Sequence, residues 1–146
     1  MADIFSIVGS SLDAQNARMS AIASNLANAD SIAAPGTAPY RAHEVVFQAS
    51  PLASTDGDGT DASDPTANDP GVSVVGTVLS NATPKTTYDP SSPYANAQGY
   101  VTGSNVSEVS QMVDLIDSSN SYSASVAVLQ QADRVDQQIL SSFQES

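Results

Sequence analysis

The residues that break helices are confined to the middle of this chain. All eight prolines lie between positions 35 and 93, Gly9 is the only glycine before Gly36, and residues 104–146 contain neither residue type. Since proline and glycine interrupt helices most strongly, both ends of the chain are free to form long helices while the middle is not. The sequence therefore predicts two terminal helices joined by a segment of a different kind.

The N-terminal segment, residues 4–28, has the apolar spacing of a packing helix. Apolar residues recur in alternating steps of three and four positions, with Gln15 in the one slot that is not apolar; they are Phe5, Val8, Leu12, Met19, Ile22 and Leu26. Such a seam is typical of a helix that packs lengthwise on other helices. Polar residues 28–31, and then Pro35 and Gly36, predict its end.

The C-terminal segment, residues 105–146, carries two apolar stripes at helical spacing. The first consists of Val106, Val109, Met112, Val113 and Ile116, and the second of Val126, Leu129, Ala132, Val135, Ile139 and Leu140. Between them, residues 118–123 have weak helix propensity, so packing from neighbours must hold this run in a helix. Asn105 followed by Glu108 resembles a capping box and predicts where the helix begins.

The middle segment, residues 31–104, is predicted to hold short strands. Residues 42–48 have the β-branched and aromatic content of a strand. Residues 72–79 form a second candidate, which is expected to pair with residues 85–88 as a hairpin. Residues 54–70 contain no large apolar side chain and are predicted to form a mobile acidic loop.

These segments together predict a mainly α fold. Residues 1–30 and 105–146 are expected to supply the two helices of an inner helical domain, packed as a coiled-coil-like pair. Residues 31–104 are expected to form a small irregular or β-hairpin insert. With no Trp, three Phe and five Tyr, the chain has little aromatic volume for a thick core, so we expect neighbouring molecules to bury much of its surface.

The charge balance excludes several classes of partner. The chain has 16 acidic and four basic residues, for a net charge of −12, and the basic residues are scattered. Nucleic acids and anionic membrane surfaces both require clustered lysines and arginines, so neither is an expected partner. No apolar run is long enough for a membrane helix, and no basic segment precedes an apolar one at the N-terminus. We therefore expect a soluble protein without membrane insertion or a cleaved signal.

The sequence offers little material for catalysis. His43 is the only histidine, and its neighbour Glu44 points to the opposite face of a strand. The chain has no cysteine, no glycine-rich phosphate loop and no nucleophile elbow. Asp114 and Asp117 are helical neighbours that are explained by a solvated helix face. We expect no catalytic residue, no cofactor and no metal, and hence no enzyme.

Three stretches resemble a known family. Residues 23–31, followed by residues 39–41 and 45–47, are similar to the N-terminal signature of bacterial flagellar rod and hook proteins. Residues 88–90 with 95–101 are similar to the segment before the last helix of the proximal-rod members. Residues 105–116 and 122–124 are similar to the helix itself.

The resemblance implies a structural subunit of the flagellar basal-body rod, which spans the periplasm. Such a subunit would be exported through the flagellar type III apparatus without cleavage. It would assemble with other rod proteins and with copies of itself through its terminal helices, and so transmit torque. Seam and motif together give the expected interface residues: Phe5, Val8, Leu12, Met19, Ile22, Asn25, Leu26, Asn28, Tyr40, Val109, Met112, Val113, Ile116, Tyr122, Val126 and Leu129.

Two alternatives remain open at this point. The first is another axial protein of the rod or hook, although the short middle segment argues against a hook protein. The second is an acidic calcium-binding protein. Asp56, Asp58 and Thr60 have the spacing of calcium-loop ligands, but Asp61 replaces the required glycine and Ala67 the final glutamate. This hypothesis would use the five aspartates of the acidic loop, Asp56, Asp58, Asp61, Asp64 and Asp69.

Overall fold

A computed structural model describes residues 2–50 and 71–144 of the protein. Helix α1 spans Ala2–Ala27 and helix α2 spans Glu108–Gln144. Between the helices, the described residues form five strands: β1 (Ile32–Ala33), β2 (His43–Ser50), β3 (Gly71–Leu79), β4 (Thr86–Tyr88) and β5 (Tyr100–Gly103). The acidic loop predicted at residues 54–70, with the aspartates of the calcium hypothesis, lies outside the described residues.

The two helices pack side by side in opposite directions. Contacts along the pair run in reverse order: Asn25 bonds to Gln111, Arg18 lies near Asp114, and the hydroxyls of Ser11 and Ser125 are 3.3 Å apart. Val8, Ala14 and Ile22 of α1 are buried, and so is Ser118 of α2. Small side chains at the contact allow the two backbones to approach closely, which explains how the weak run 118–123 stays helical.

Helix α2 extends beyond the end of α1. Nine residues precede Ser11 in α1, whereas nineteen follow Ser125 in α2. At 1.5 Å per residue, the last ten residues or so of α2 project by about 15 Å. Val135, Ile139 and Leu140 in this projection are exposed apolar residues.

The strands form two antiparallel sheets. One has the order β1-β5-β4, and the other consists of β2 and β3. The β2–β3 pair runs from His43 opposite Leu79 to Ser50 opposite Gly71, and its register shifts between Val46 and Phe47. Val75 is the extra residue of this β-bulge, beside the isolated Gly76, a residue type that often marks a bulge within a strand.

The prediction of a mainly α fold is wrong. The described residues are 50% helical and 21% strand, which makes the protein a mixture of helices and antiparallel sheets. Individually weak signals caused the error: β1, β4 and β5 have two to four residues each. Such short strands gain stability only by pairing with one another, and that pairing is not visible in local composition.

The predicted hairpin of residues 72–79 with residues 85–88 is also wrong. Strand β3 pairs with β2, and β4 pairs with β5. The chain beyond β3 is tied down elsewhere: Arg41 donates hydrogen bonds to the carbonyls of Leu79 and Ser80. Because Arg41 binds these two carbonyls, the chain after β3 does not turn back to pair with β3, and residues 86–88 pair with β5 instead.

The capping box predicted at Asn105 does not form. Helix α2 begins at Glu108, and the Gln111 amide donates to the Ser107 carbonyl. The Asn105 side chain instead accepts a hydrogen bond from the amide of Ala42 and donates to the carbonyls of Ser80 and Ala82. Asn105 therefore joins three chain segments rather than capping a helix.

Candidate assembly interface

One buried amide connects both helices to a strand. Asn25 of α1 is 2% exposed, and its side chain forms four hydrogen bonds. Its Nδ2 donates to the His43 carbonyl and to Oε1 of Gln111, each at 2.9 Å. Its Oδ1 accepts from the His43 amide at 2.7 Å and from the Tyr40 hydroxyl at 3.2 Å. The amide thus pairs with the start of β2 as a neighbouring strand would, and it also holds α2.

Tyr40 extends this polar cluster towards the surface. Its hydroxyl lies 2.7 Å from Nδ1 of His43 and 3.1 Å from the hydroxyl of Ser24. The rings of Tyr40 and His43 also contact each other, with centroids 5.3 Å apart. We call Asn25, Tyr40, His43 and Gln111 the Asn25 cluster. Every polar side-chain atom of the buried Asn25 is satisfied, so the cluster can specify one arrangement of α1, β2 and α2.

A second set of contacts anchors the ends of the helices. Ser104 is fully buried, and its hydroxyl donates to the carbonyl of Ala29 just beyond α1. Ala29, Ala42 and Val106 form a small apolar cluster, against which Tyr40 packs. The end of α1 and the start of α2 are therefore fixed to each other through the segment that carries the sheets.

The side of α2 opposite α1 carries a row of uncovered apolar residues. Val109, Met112, Val113 and Ile116 are between 49% and 74% exposed. At about 100° per residue, these four residues fall within about 100° of the helix circumference. Ser118, which is 0% exposed, lies about 200° around the helix from Ile116 and faces α1. We call these four residues the exterior stripe.

The structure divides the expected interface residues into two groups. The exterior stripe accounts for Val109, Met112, Val113 and Ile116, which are all exposed. The remaining twelve are buried or half-buried within the chain: Phe5, Val8, Leu12, Met19, Ile22, Asn25, Leu26, Asn28, Tyr40, Tyr122, Val126 and Leu129. Most of the N-terminal seam therefore packs inside the folded chain, and of these sixteen residues only the four of the exterior stripe are exposed.

The contacts of His43, Gln111 and Asn105 are not expected from the sequence. His43 and Gln111 carry no local signal of a contact, and the pattern at Asn105 predicts a helix cap. No local pattern identifies them, because each bonds to a partner at least 18 positions away. The one usable signal was Asn25 at a position that continues the apolar seam beside Leu26.

The described residues offer no evident chemical centre. Among them, no group of three or more His, Cys, Asp or Glu side chains is placed to hold a metal ion. Within the same residues, neither helix combines the length and apolar character that crossing a membrane requires. What the described surface does offer is an apolar row on a helix, which suits contact with another helix.

The sequence is similar to those of known proteins that assemble into a larger structure, the flagellar basal-body rod. Residues 97–142, which include nearly all of α2, match the family described as Flagellar basal body rod FlgEFG protein C-terminal. The chain is 44% identical over 129 residues to the flagellar basal-body rod protein FlgC of Escherichia coli O6:H1, covering 87% of this chain and 86% of that protein. The chain belongs to the FlgC family of flagellar basal-body rod proteins.

The similarity extends to distant members of the FlgC family. FlgC of Salmonella typhimurium is 43% identical over 127 residues, with 87% of this chain and 86% of that protein covered. FlgC of Bacillus subtilis is 34% identical over 127 residues, with 84% and 85% covered. The resemblance to rod proteins is thereby confirmed, and so is the expectation that the chain is a structural protein of the basal body and not an enzyme.

Proposed function

We propose that this chain is a rod subunit that assembles with other axial proteins, and with copies of itself, through its helices. The observation that carries the proposal is the exterior stripe. Four large apolar side chains on one helix face cost free energy while they contact water, and another helix would remove them from it. Contacts of this kind between neighbouring axial proteins would build a rod.

We further propose that the subunit transmits torque, and that the Asn25 cluster is part of the path. A subunit under torsion must move as one body, so the helices that contact neighbours need a firm connection to the sheets. Support for this comes from the hydrogen bonds of Asn25, which reach α2 through Gln111 and β2 through both backbone groups of His43.

Export through the flagellar type III apparatus and placement in the periplasmic part of the rod complete the proposal. Both rest on membership of the FlgC family. A subunit exported unfolded has to fold and assemble where it is incorporated, and exposed apolar surface would be hazardous before that point. Measuring exported and assembled protein separately therefore distinguishes the two steps.

The test is the substitution Val113→Asp in cells. Val113 is 60% exposed in the folded chain, so the substitution should hardly change the free energy of unfolding. In a packed interface it would bury an unpaired carboxylate, which costs several kcal/mol. We expect normal export and no rods in electron micrographs of isolated basal bodies.

A matched control is available on the other side of the molecule. Val75 at the β-bulge is also 60% exposed, and Val75→Asp introduces the same charge into a surface of the same exposure. Cells with this variant should build rods and swim. If Val113→Asp also built normal rods, the exterior stripe would not be an assembly surface and the proposal would fail.

A further inference from the structure

We propose that the exterior stripe docks an amphipathic helix of a different protein, one whose apolar face is flanked by lysine or arginine residues. The inference deepens the proposed function and rests on it, because it names the partner of the same surface. It is argued from the charges that surround the stripe and from the few cations that a second copy of this chain could offer.

Carboxylates flank the exterior stripe on both sides. Asp117 follows Ile116 and lies one helical turn after Val113, while Glu108 precedes Val109 and lies one turn before Met112. Asp114 lies on the same side of the stripe as Asp117. A helix that covers the stripe must therefore place its own flanking side chains against acidic residues.

No cation of α2 offsets these carboxylates. Residues 108–133 contain no Lys, Arg or His, and Arg134 is the only basic residue of α2. It lies 18 positions beyond Ile116, about 27 Å along the helix axis. Arg18 of α1 does approach Asp114, at 3.9 Å, but it lies on the side of α2 that faces α1. Lys85, just before β4, lines the same depression as Glu108 and Val109, so a cation lies near that end of the stripe. The rim beside Asp117, on the outer face of α2, has no such cation in the sequence of α2 and is negative.

A second copy of this chain is a poor partner for that rim. The chain has four basic residues and a net charge of −12. Arg41 is engaged by the carbonyls of Leu79 and Ser80, and Arg18 lies beside Asp114. Lys85 lines the depression that Glu108 and Val109 also line, which leaves Arg134 as the one remaining cation of a second copy. Two copies docked stripe to stripe would bring carboxylates together, and like charges across an interface oppose association. A partner helix with basic flanks would bury the apolar stripe and place its cations against the carboxylates of the rim.

Two synthetic amphipathic helices with identical apolar faces test the inference on the purified full-length chain. One peptide has lysines at its flanking positions and the other has glutamates, and fluorescence anisotropy of a label on each measures binding. We expect the lysine peptide to bind about tenfold more tightly than the glutamate peptide at low salt. This advantage should largely disappear at about 0.5 M salt, since screening weakens exposed ion pairs.

Variants of the chain locate the binding site. Val113→Asp should abolish binding of the lysine peptide, and Asp117→Lys should weaken it while improving binding of the glutamate peptide. Asp13→Lys is the matched control, because it reverses an exposed charge on α1 and should leave the preference of the stripe unchanged. A lysine peptide of the same composition but scrambled order should not bind.

Several results would overturn the inference. These are equal binding of the lysine and glutamate peptides, binding of neither, or equal binding of the scrambled lysine peptide. Sedimentation that shows a dimer of the chain, lost in Val113→Asp, would identify a second copy as the occupant instead. If the peptides fail while Val113→Asp still prevents rod formation in cells, the proposed function stands and only the charge of the partner is wrong.

Discussion

Replacing Asn25 with alanine removes the one side chain that bonds to α2, to β2 and to Tyr40. The substitution takes the Asn25 partner from four groups: the amide and the carbonyl of His43, the side chain of Gln111 and the hydroxyl of Tyr40. Gln111 and Tyr40 are half-buried and can turn towards water. The two backbone groups of His43 cannot, because β2 fixes them.

The expected loss of stability follows from these two fixed groups. A buried donor or acceptor left unpaired costs about 1–3 kcal/mol. Two such groups give about 4 kcal/mol, from which the higher helix propensity of alanine recovers about half a kcal/mol or more. We therefore expect Asn25→Ala to lower the free energy of unfolding by about 3 kcal/mol, a large part of the 5–15 kcal/mol typical of a domain.

Urea unfolding followed by circular dichroism measures this difference. Asn16→Ala is the matched control: Asn16 lies on the same helix and is exposed, so its replacement should raise stability by about half a kcal/mol through helix propensity alone. A double-mutant cycle of Asn25→Ala with Gln111→Ala should show coupling of about 1 kcal/mol. A loss below about 1 kcal/mol for Asn25→Ala would mean that the amide does not hold the three elements together.

Three further predictions concern single sites. Gly99→Ala should destabilise the fold by about 2 kcal/mol in urea unfolding, because Gly99 has φ +81° and a Cβ there would lie 2.9 Å from the Tyr88 ring. Gly9→Ala should instead stabilise α1, because a Cβ on Gly9 would meet only open space. Ser118→Ala should raise stability by about 0.5–1 kcal/mol in thermal unfolding, since the buried Ser118 hydroxyl has no hydrogen-bond partner. Amide exchange should be fastest in α2 at residues 135–144, beyond the reach of α1.

The helices could be predicted from the sequence because each one is a continuous local pattern. The apolar seam from Phe5 to Leu26 can be read within the N-terminal segment alone. The absence of proline and glycine after Gly103 can be read within the C-terminal segment alone. Helix α1 accordingly spans Ala2–Ala27, close to the predicted residues 4–28. Strand β2, at His43–Ser50, was recognisable for the same reason. The pairing of the strands was not, since the register of β2 with β3 joins residues up to 36 positions apart.

The Asn25 cluster shows why the site was harder to predict than the helices. Periodicity identifies which residues face a neighbour, but it does not say whether that neighbour belongs to the same chain. The spacing of Val8 and Ile22 fits an intermolecular contact, and in the folded chain both residues are buried. Val113, in contrast, is exposed, because it lies on the face of α2 that α1 does not cover. Only the arrangement of the two helices separates the internal seam from the exterior stripe.

That arrangement places an internal contact and an open surface on the same turn of α2. Gln111, which bonds to Asn25, immediately precedes Met112 of the exterior stripe, and the side chains of the two residues differ by about 100° around the helix. A partner that docks on the stripe would therefore push on a turn that is bonded, through one amide, to the backbone of His43 in β2. No long loop intervenes between the docked surface and the sheet. Under the proposed function, weakening the Asn25 cluster should thus reduce the stiffness of assembled rods even where the exterior stripe is intact.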